Sequence, residues 1–263
     1  YCNYKGNVGG IESFAVKQQG ASFAIADHHD FCKPIKASDV DFGYDGKMYV
    51  ADYPTSPWKR EQSGGRIYTI VDKARLRQPV IAETRLLFQK GFRHRTTKEL
   101  ASLLYHDDMR VRLRAQFALA ERGNASVEVF SQIATRDENQ LARLHAIWGL
   151  GQIERSAPTE KTLAPVLALL QDEDSEVRAQ AARVLGDAHY ELAASTIVNL
   201  LADETPRVRF FAALALGSLE SKDAGDRVIS MLRENDGKDR YLTHAGVVAL
   251  ELIGDREFVQ QWA

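Results

Sequence analysis

The residues that could do chemistry are seven histidines, two cysteines and a nearly balanced set of 34 Lys+Arg against 36 Asp+Glu. The histidines (His28, His29, His94, His106, His145, His189 and His244) form no His-Glu-x-x-His and no other recognisable ligand spacing. No nucleophile elbow, phosphate-cradling glycine loop or dinucleotide fingerprint occurs. Cys-x-x-Cys-His is also missing, so covalent c-type haem is not expected. His28-His29-Asp30 and His106-Asp107-Asp108 could each offer metal ligands, but both read better as turn and cap residues. Cys2 and Cys32 lack zinc or redox spacing; they are a candidate disulfide if their strands are adjacent, and otherwise two unpaired buried thiols. The expectation is a chain with no catalytic, cofactor-binding or metal residue and no cofactor, whose chemistry is recognition.

The elements that must position any recognition residue repeat. Val111 to Ala120, Ala142 to Gly151, Val177 to Gly186 and Val208 to Gly217 share one spelling, and Leu242 to Glu251 is a weaker fifth copy. Their starts are about 31 to 35 residues apart, within the period that marks solenoids. Each copy has an apolar start, usually Arg next, small and aliphatic residues at helical spacing, and often a closing Gly. A second helical pattern precedes each copy and ends in an acidic turn. An antiparallel helix pair cannot bury its apolar stripe alone, so the pairs must stack. The expected architecture is an α-solenoid from residue 97 to the end.

Within that frame Arg112, Arg143, Arg178 and Arg209 sit one residue after the apolar start of each second helix. Asp108, Asp137, Asp174 and Asp203 lie a few residues upstream, where a carboxylate caps free N–H groups and suits the helix dipole. A structural arginine ladder is expected, each guanidinium donating to an acid of its own or the adjacent repeat. Val177, Ala181, Val184 and Leu185 form the buried stripe of one second helix. Positions three and six after the start flank it. Those positions supply the candidate partner-binding residues of a concave face: Arg114, Phe117, His145, Trp148, Arg183 and Phe211. Gap filling between repeats is the competing role for the three aromatics.

Residues 1–73 read differently. Period-2 runs at Ile11 to Val16, Ala21 to Ala26, Asp39 to Phe42, Lys47 to Asp52 and Arg66 to Val71 are bounded by turn residues, among them Gly43-Tyr44-Asp45-Gly46. One antiparallel meander of about four strands is expected. Residues 74–96 form a basic joint with Arg75, Arg77, Arg85, Lys90, Arg93 and Arg95. Pro79 opens a helix there whose buried side is expected to carry Ile81, Leu86 and Leu87. The fold class is thus α+β: a small sheet (1–73), a basic helical linker (74–96) and a solenoid of about five repeats (97–263). A formal net charge of -2 carries no nucleic-acid signature, and no apolar run reaches membrane-spanning length. The chain begins at Tyr1 within a strand-like pattern, which reads as a fragment or processed product.

The run Gly9-Gly10-Ile11-Glu12-Ser13-Phe14, then Gly20-Ala21-Ser22-Phe23, Asp39 through Asp52 and Gly65-Arg66-Ile67-Tyr68 resembles a terminal β-propeller blade. Its type is that of bacterial membrane-bound or periplasmic dehydrogenases related to glucose and sorbosone dehydrogenases. Asp108 through Gly123 resembles the first HEAT repeat that follows such propellers, and Tyr241-Leu242-Thr243-His244-Ala245 resembles a downstream one. The resemblance implies an extracytoplasmic setting and a quinone- or haem-linked parent enzyme whose chemistry lies in blades this chain does not carry. Tyr53 stands where such a blade is expected to have Trp. The expected function is a protein-interaction or scaffolding module, with a protein or peptide on the concave face and a homodimer through an unfinished sheet edge as the second contact. The Val-Arg and Ala-Leu-Gly spelling also resembles the lyase-type repeats of phycobilin chromophore lyases, which implies the alternative of a chromophore-lyase-like protein acting with a partner subunit.

Overall fold

The computed structural model describes residues 2–5, 8–52, 65–159 and 161–254. The chain divides into two compact units, Tyr1–Gln18 with Phe23–Gly91, and Gln19–Ser22 with Phe92–Ala263. The expected loop around Tyr53 and the cut repeat at 257–263 lie outside the described residues.

Among the described residues the first unit holds two sheets of three strands, not one meander of four. β1 (Cys2–Lys5), β2 (Val8–Gln19) and β3 (Ser22–Cys32) form one in that order; β4 (Ala37–Phe42), β5 (Met48–Asp52) and β6 (Arg66–Ile70) form the other. β1 pairs antiparallel with β2, with Cys2 opposite Ile11. The break between the sheets falls at Lys33–Lys36, where Pro34 removes a ladder donor. Period 2 identified the strands but carries no information on which strands pair. The expected turn does close the β4–β5 hairpin: Gly43 N donates to Lys47 O at 2.8 Å, and Gly46 takes φ +75°, which favours glycine. Ile11, Ala37, Met48 and Val50 form the core of this unit.

Pro79 occupies the first turn of α1 (Pro79–Lys90). Leu87 is buried and Ile81 half-buried, but Leu86 is exposed and Thr84 is buried in its place. Tyr44 stacks on Phe88 with ring centroids 3.7 Å apart, so α1 belongs to the sheet unit and is not a separate linker.

The second unit is a stack of helix pairs: α2 (Thr97–Leu103) with α3 (Met109–Ala120), α4 (Val127–Arg136) with α5 (Gln140–Ser156), α6 (Ala164–Ala168) with α7 (Ser175–Asp187), α8 (Ala194–Leu200) with α9 (Pro206–Ser218), and α10 (Gly225–Asn235) with α11 (Arg240–Ile253). The second helices pack on one another in sequence, α3 to α5 to α7 to α9 to α11. The repeat's closing glycine has its physical cause here. A Cβ on Gly186 would lie 2.5 Å from the Cα of Ala215, and one on Gly217 would lie 2.9 Å from the Cα of Ala249. Only glycine permits that backbone approach. The stripe predicted for α7 is closed, with Val177, Ala181 and Leu185 fully buried.

Candidate partner-binding face

The second helices start under local control. Asp108 caps α3 by accepting from Arg110 N at 2.8 Å, Asn139 caps α5 through Ala142 N at 2.9 Å, and Asp174 caps α7 through Glu176 N at 2.8 Å. Asp137 and Asp203, expected as caps, lie two residues earlier and brace the turn by accepting from Asn139 N and Thr205 N. Asp172 has the same place ahead of α7. Of these turn acids Asp172 and Asp203, not the caps, receive an arginine from the preceding repeat.

Two rungs of the ladder are closed. Arg143 pairs with Asp172 of the next repeat and also donates to Ala134 O at 2.9 Å. Arg178 pairs with Asp203 at 2.9 Å and donates to Asp172 O and Glu173 O. Burial raises the Asp172 carboxyl, but the Arg143 hydrogen bonds, the Asp174 N–H and the Arg143 and Arg178 charges together outweigh it and hold the group below its usual range. The outer two rungs differ. Asp137, the acid one repeat after Arg112, accepts instead from the Tyr105 hydroxyl. Burial first, and Asp137 second, push that phenol up to about 12. Arg112 donates to His106 O, Asp107 O and His145 Nε2. For Arg209 the corresponding turn position is Gly237, and the buried Nε of Arg209 has no hydrogen-bond partner among the described residues.

His145, predicted at the recognition face, is only 4% exposed. Its Nε2 accepts from Arg112 Nε at 3.3 Å, so Nδ1 carries the proton and donates to Gln116 Oε1 at 2.7 Å. Gln116 Nε2 passes the chain on to Gln152 Oε1 at 2.9 Å. Burial, and then the Arg112 charge, lower the imidazole pKa from 6.5 to about 4. The imidazole is a neutral linker between α3 and α5 and is not available to a partner.

The other predicted residues reach the surface. Trp148 is half-buried, its ring edge-on to His145 at 5.2 Å, and its Nε1 donates to Gln180 Oε1 at 2.9 Å. Gln180 Nε2 donates to Glu176 Oε1, and Arg207 Nε donates to Glu176 Oε2 at 2.6 Å. The Arg207 guanidinium lies 4.9 Å from the centre of the Phe211 ring, with Arg183 at 5.9 Å from the same ring. Trp148, Arg183 and Phe211 therefore belong to one contiguous aromatic and polar group across α5, α7 and α9. Arg183 is the accessible part: its side chain is 52% exposed and its nearest carboxylate, Asp187, is 3.6 Å away. Arg114 and Phe117 stand on α3, exposed and half-buried, with no hydrogen bond to that group among the described residues. Gln180 stands at one of the flanking positions singled out from the sequence, three residues after Val177, whereas Glu176 and Arg207 were missed as connectors; polar residues on adjacent second helices were the available signal.

Cys32 is a half-buried free thiol, and β2 lies between the strands that carry Cys2 and Cys32. Two inter-strand spacings come to about 9.5 Å, beyond the Cα separation a disulfide spans. The adjacency that pairing required is therefore not met. Among the described residues no group of three or more His, Cys, Asp or Glu side chains could hold a metal ion. No helix among them is long and apolar enough to cross a membrane.

Residues 163–251 match the family model of HEAT repeats, so the helical unit contains a HEAT-repeat region. Compared with curated proteins, the sequence matches none. Among solved structures it is similar to an engineered protein, at 21% identity, TM-score 0.44 and coverage of 67% of this chain and 84% of that one. It is also similar to the CpcE–CpcF complex of phycocyanin lyase from Nostoc sp. PCC7120, at 18% identity, TM-score 0.48 and coverage of 64% and 69%. A designed armadillo repeat protein in complex with the peptide (KR)4 is similar at 17% identity, TM-score 0.43 and coverage of 68% and 96%. At these identities none of the three bears on activity.

Proposed function

We propose that this chain is a non-catalytic interaction module whose second-helix face receives a partner protein or peptide. The observation that carries the reading is the contiguous group of Trp148, Gln180, Glu176, Arg207, Phe211 and Arg183. Half-buried aromatics, Trp148 held by its hydrogen bond to Gln180 and Phe211 by the Arg207 guanidinium, with an exposed arginine beside them, present rigid anchor area at low entropy cost. The HEAT-repeat region supports the same reading, because stacked repeats offer an extended surface. We extend the proposal to a setting as an appendage of a larger extracytoplasmic redox protein, supported by the blade resemblance of the sheet unit.

The test is capture of partners from the native host with wild-type chain, with Trp148→Ala/Arg183→Glu, and with Gln132→Glu on the exposed side of α4. The expected result is a stoichiometric partner retained by wild type and Gln132→Glu and lost by the double variant. A double variant that folds and retains every partner contradicts the assignment.

A further inference from the structure

Away from the helices, the sheet unit contains a cavity that the interaction reading does not use. Its wall is built from the end of β3 (Cys32), the segment Pro34–Lys36, the end of β5 (Asp52) and β6 (Arg66, Tyr68, Thr69, Ile70), around about 560 Å³. That volume suits a small molecule. Cys32, Ile35 and Ile70 pack against the core of Ile11, Ala37, Met48 and Val50, so one side of the cavity is the incompletely covered edge of that core. The other side is polar. Arg66 Nη1 donates to the Tyr68 hydroxyl at 3.2 Å, and the guanidinium has five N–H donors in all. Among the described residues Asp52 is the single acid of the lining, against the two cations Lys36 and Arg66. One of its oxygens already accepts from Lys36 N at 3.0 Å.

We infer that this cavity binds a small molecule with one carboxylate on an apolar body. The excess of cation over acid selects an anion. The planar fork of Arg66 selects a carboxylate geometry, and the Ile35 and Ile70 wall removes an apolar body from water. A fully hydrated anion gains nothing from that wall.

The test uses the full chain with Cys2→Ser, so that the Cys32 thiol is the one alkylation site and reports occupancy. Iodoacetamide labelling is followed with benzoate, benzamide, benzylamine and inorganic phosphate, and saturation-transfer NMR of benzoate on the unlabelled protein gives an independent reading. The expected outcome is protection by benzoate above the other three. Arg66→Gln, a surface change, should raise the half-protecting benzoate concentration about tenfold, the scale of one lost charge-assisted hydrogen bond. Equal or better protection by benzamide, benzylamine or phosphate overturns the ligand class. Absence of both protection and saturation transfer overturns the site.

Discussion

The two units handle apolar surface in opposite ways. In the helical unit the large side chains of the repeat stripe are closed: Leu119, Leu150, Leu185 and Leu216 have no exposure at all. In the sheet unit Ile67 is 75% exposed, Ile25 65% and Phe42 63%, and Phe14, Val16 and Phe23 are also open. Each helix pair supplies the surface its neighbour must bury, so a stack satisfies itself internally. A three-stranded sheet has two faces and only one small core to cover them. Specific packing should therefore dominate the energetics of the helical unit, and surface substitutions should be tolerated on the sheets.

The sharpest way to break that contrast is to disturb the closest helix approach. Gly186→Val places a side chain against the Ala215 backbone and is expected to destabilise the helical unit by about 3 kcal/mol, the upper end of overpacking costs. Chemical denaturation followed by helical circular dichroism checks this. A loss under about 0.5 kcal/mol would mean that the second helices are not packed as described.

Acid is the next lever, and its sign follows from the buried imidazole. Above pH 6.5 His145 is neutral in both folded and unfolded chains and contributes no pH dependence. Below 6.5 the unfolded chain takes the proton first, because the folded pKa is about 4, so stability falls between those values. The full loss is about 3 kcal/mol, and it is complete below pH 4. Asp172 and Asp108 are held below the ordinary carboxylate pKa of 3.8, so their contributions disappear only as pH falls further. Melting temperatures from pH 7.5 to 4.5 should decline in wild type and decline less in His145→Gln. Parallel curves would remove the imidazole from the account.

A smaller effect separates an inner rung from the last of the outer two. Arg178 and Asp203 side chains are 12% and 9% exposed, so Arg178→Met leaves a covered acid unpaired and should cost about 2 kcal/mol. Arg209→Met keeps the aliphatic stem and removes a buried Nε donor that has no partner among the described residues; its expected change is within about 0.5 kcal/mol of zero. Equal costs would show that the ladder's carboxylates do not set its energy.

What was legible in the sequence follows this division. The helical stack could be read because its constraint is local and repeated: Val177, Ala181 and Leu185 at helical spacing, with Gly186 closing that copy, require a stripe and a neighbour. The division of the strands into two sheets could not be read, since alternation at Lys47 to Asp52 fixes a strand and not its partners. The ladder was legible as arginines but not as pairs. The receiving acids lie two residues ahead of the caps, and only the turn geometry aims Asp172 and Asp203 at the preceding repeat. His145 and Trp148 are three residues apart on one helix and read alike. One is covered because Arg112 and Gln116 from α3 close over it, a contact across 29 or more residues that spacing alone does not reveal.

The most direct test of the recognition face is site-specific photocrosslinking in the native host. One probe replaces Asp187, exposed beside Arg183 on α7; the other replaces Gln132, exposed on α4. The account predicts a discrete protein adduct from position 187 and none from position 132. A discrete adduct from position 132 alone, or none from either while a partner copurifies, would contradict it.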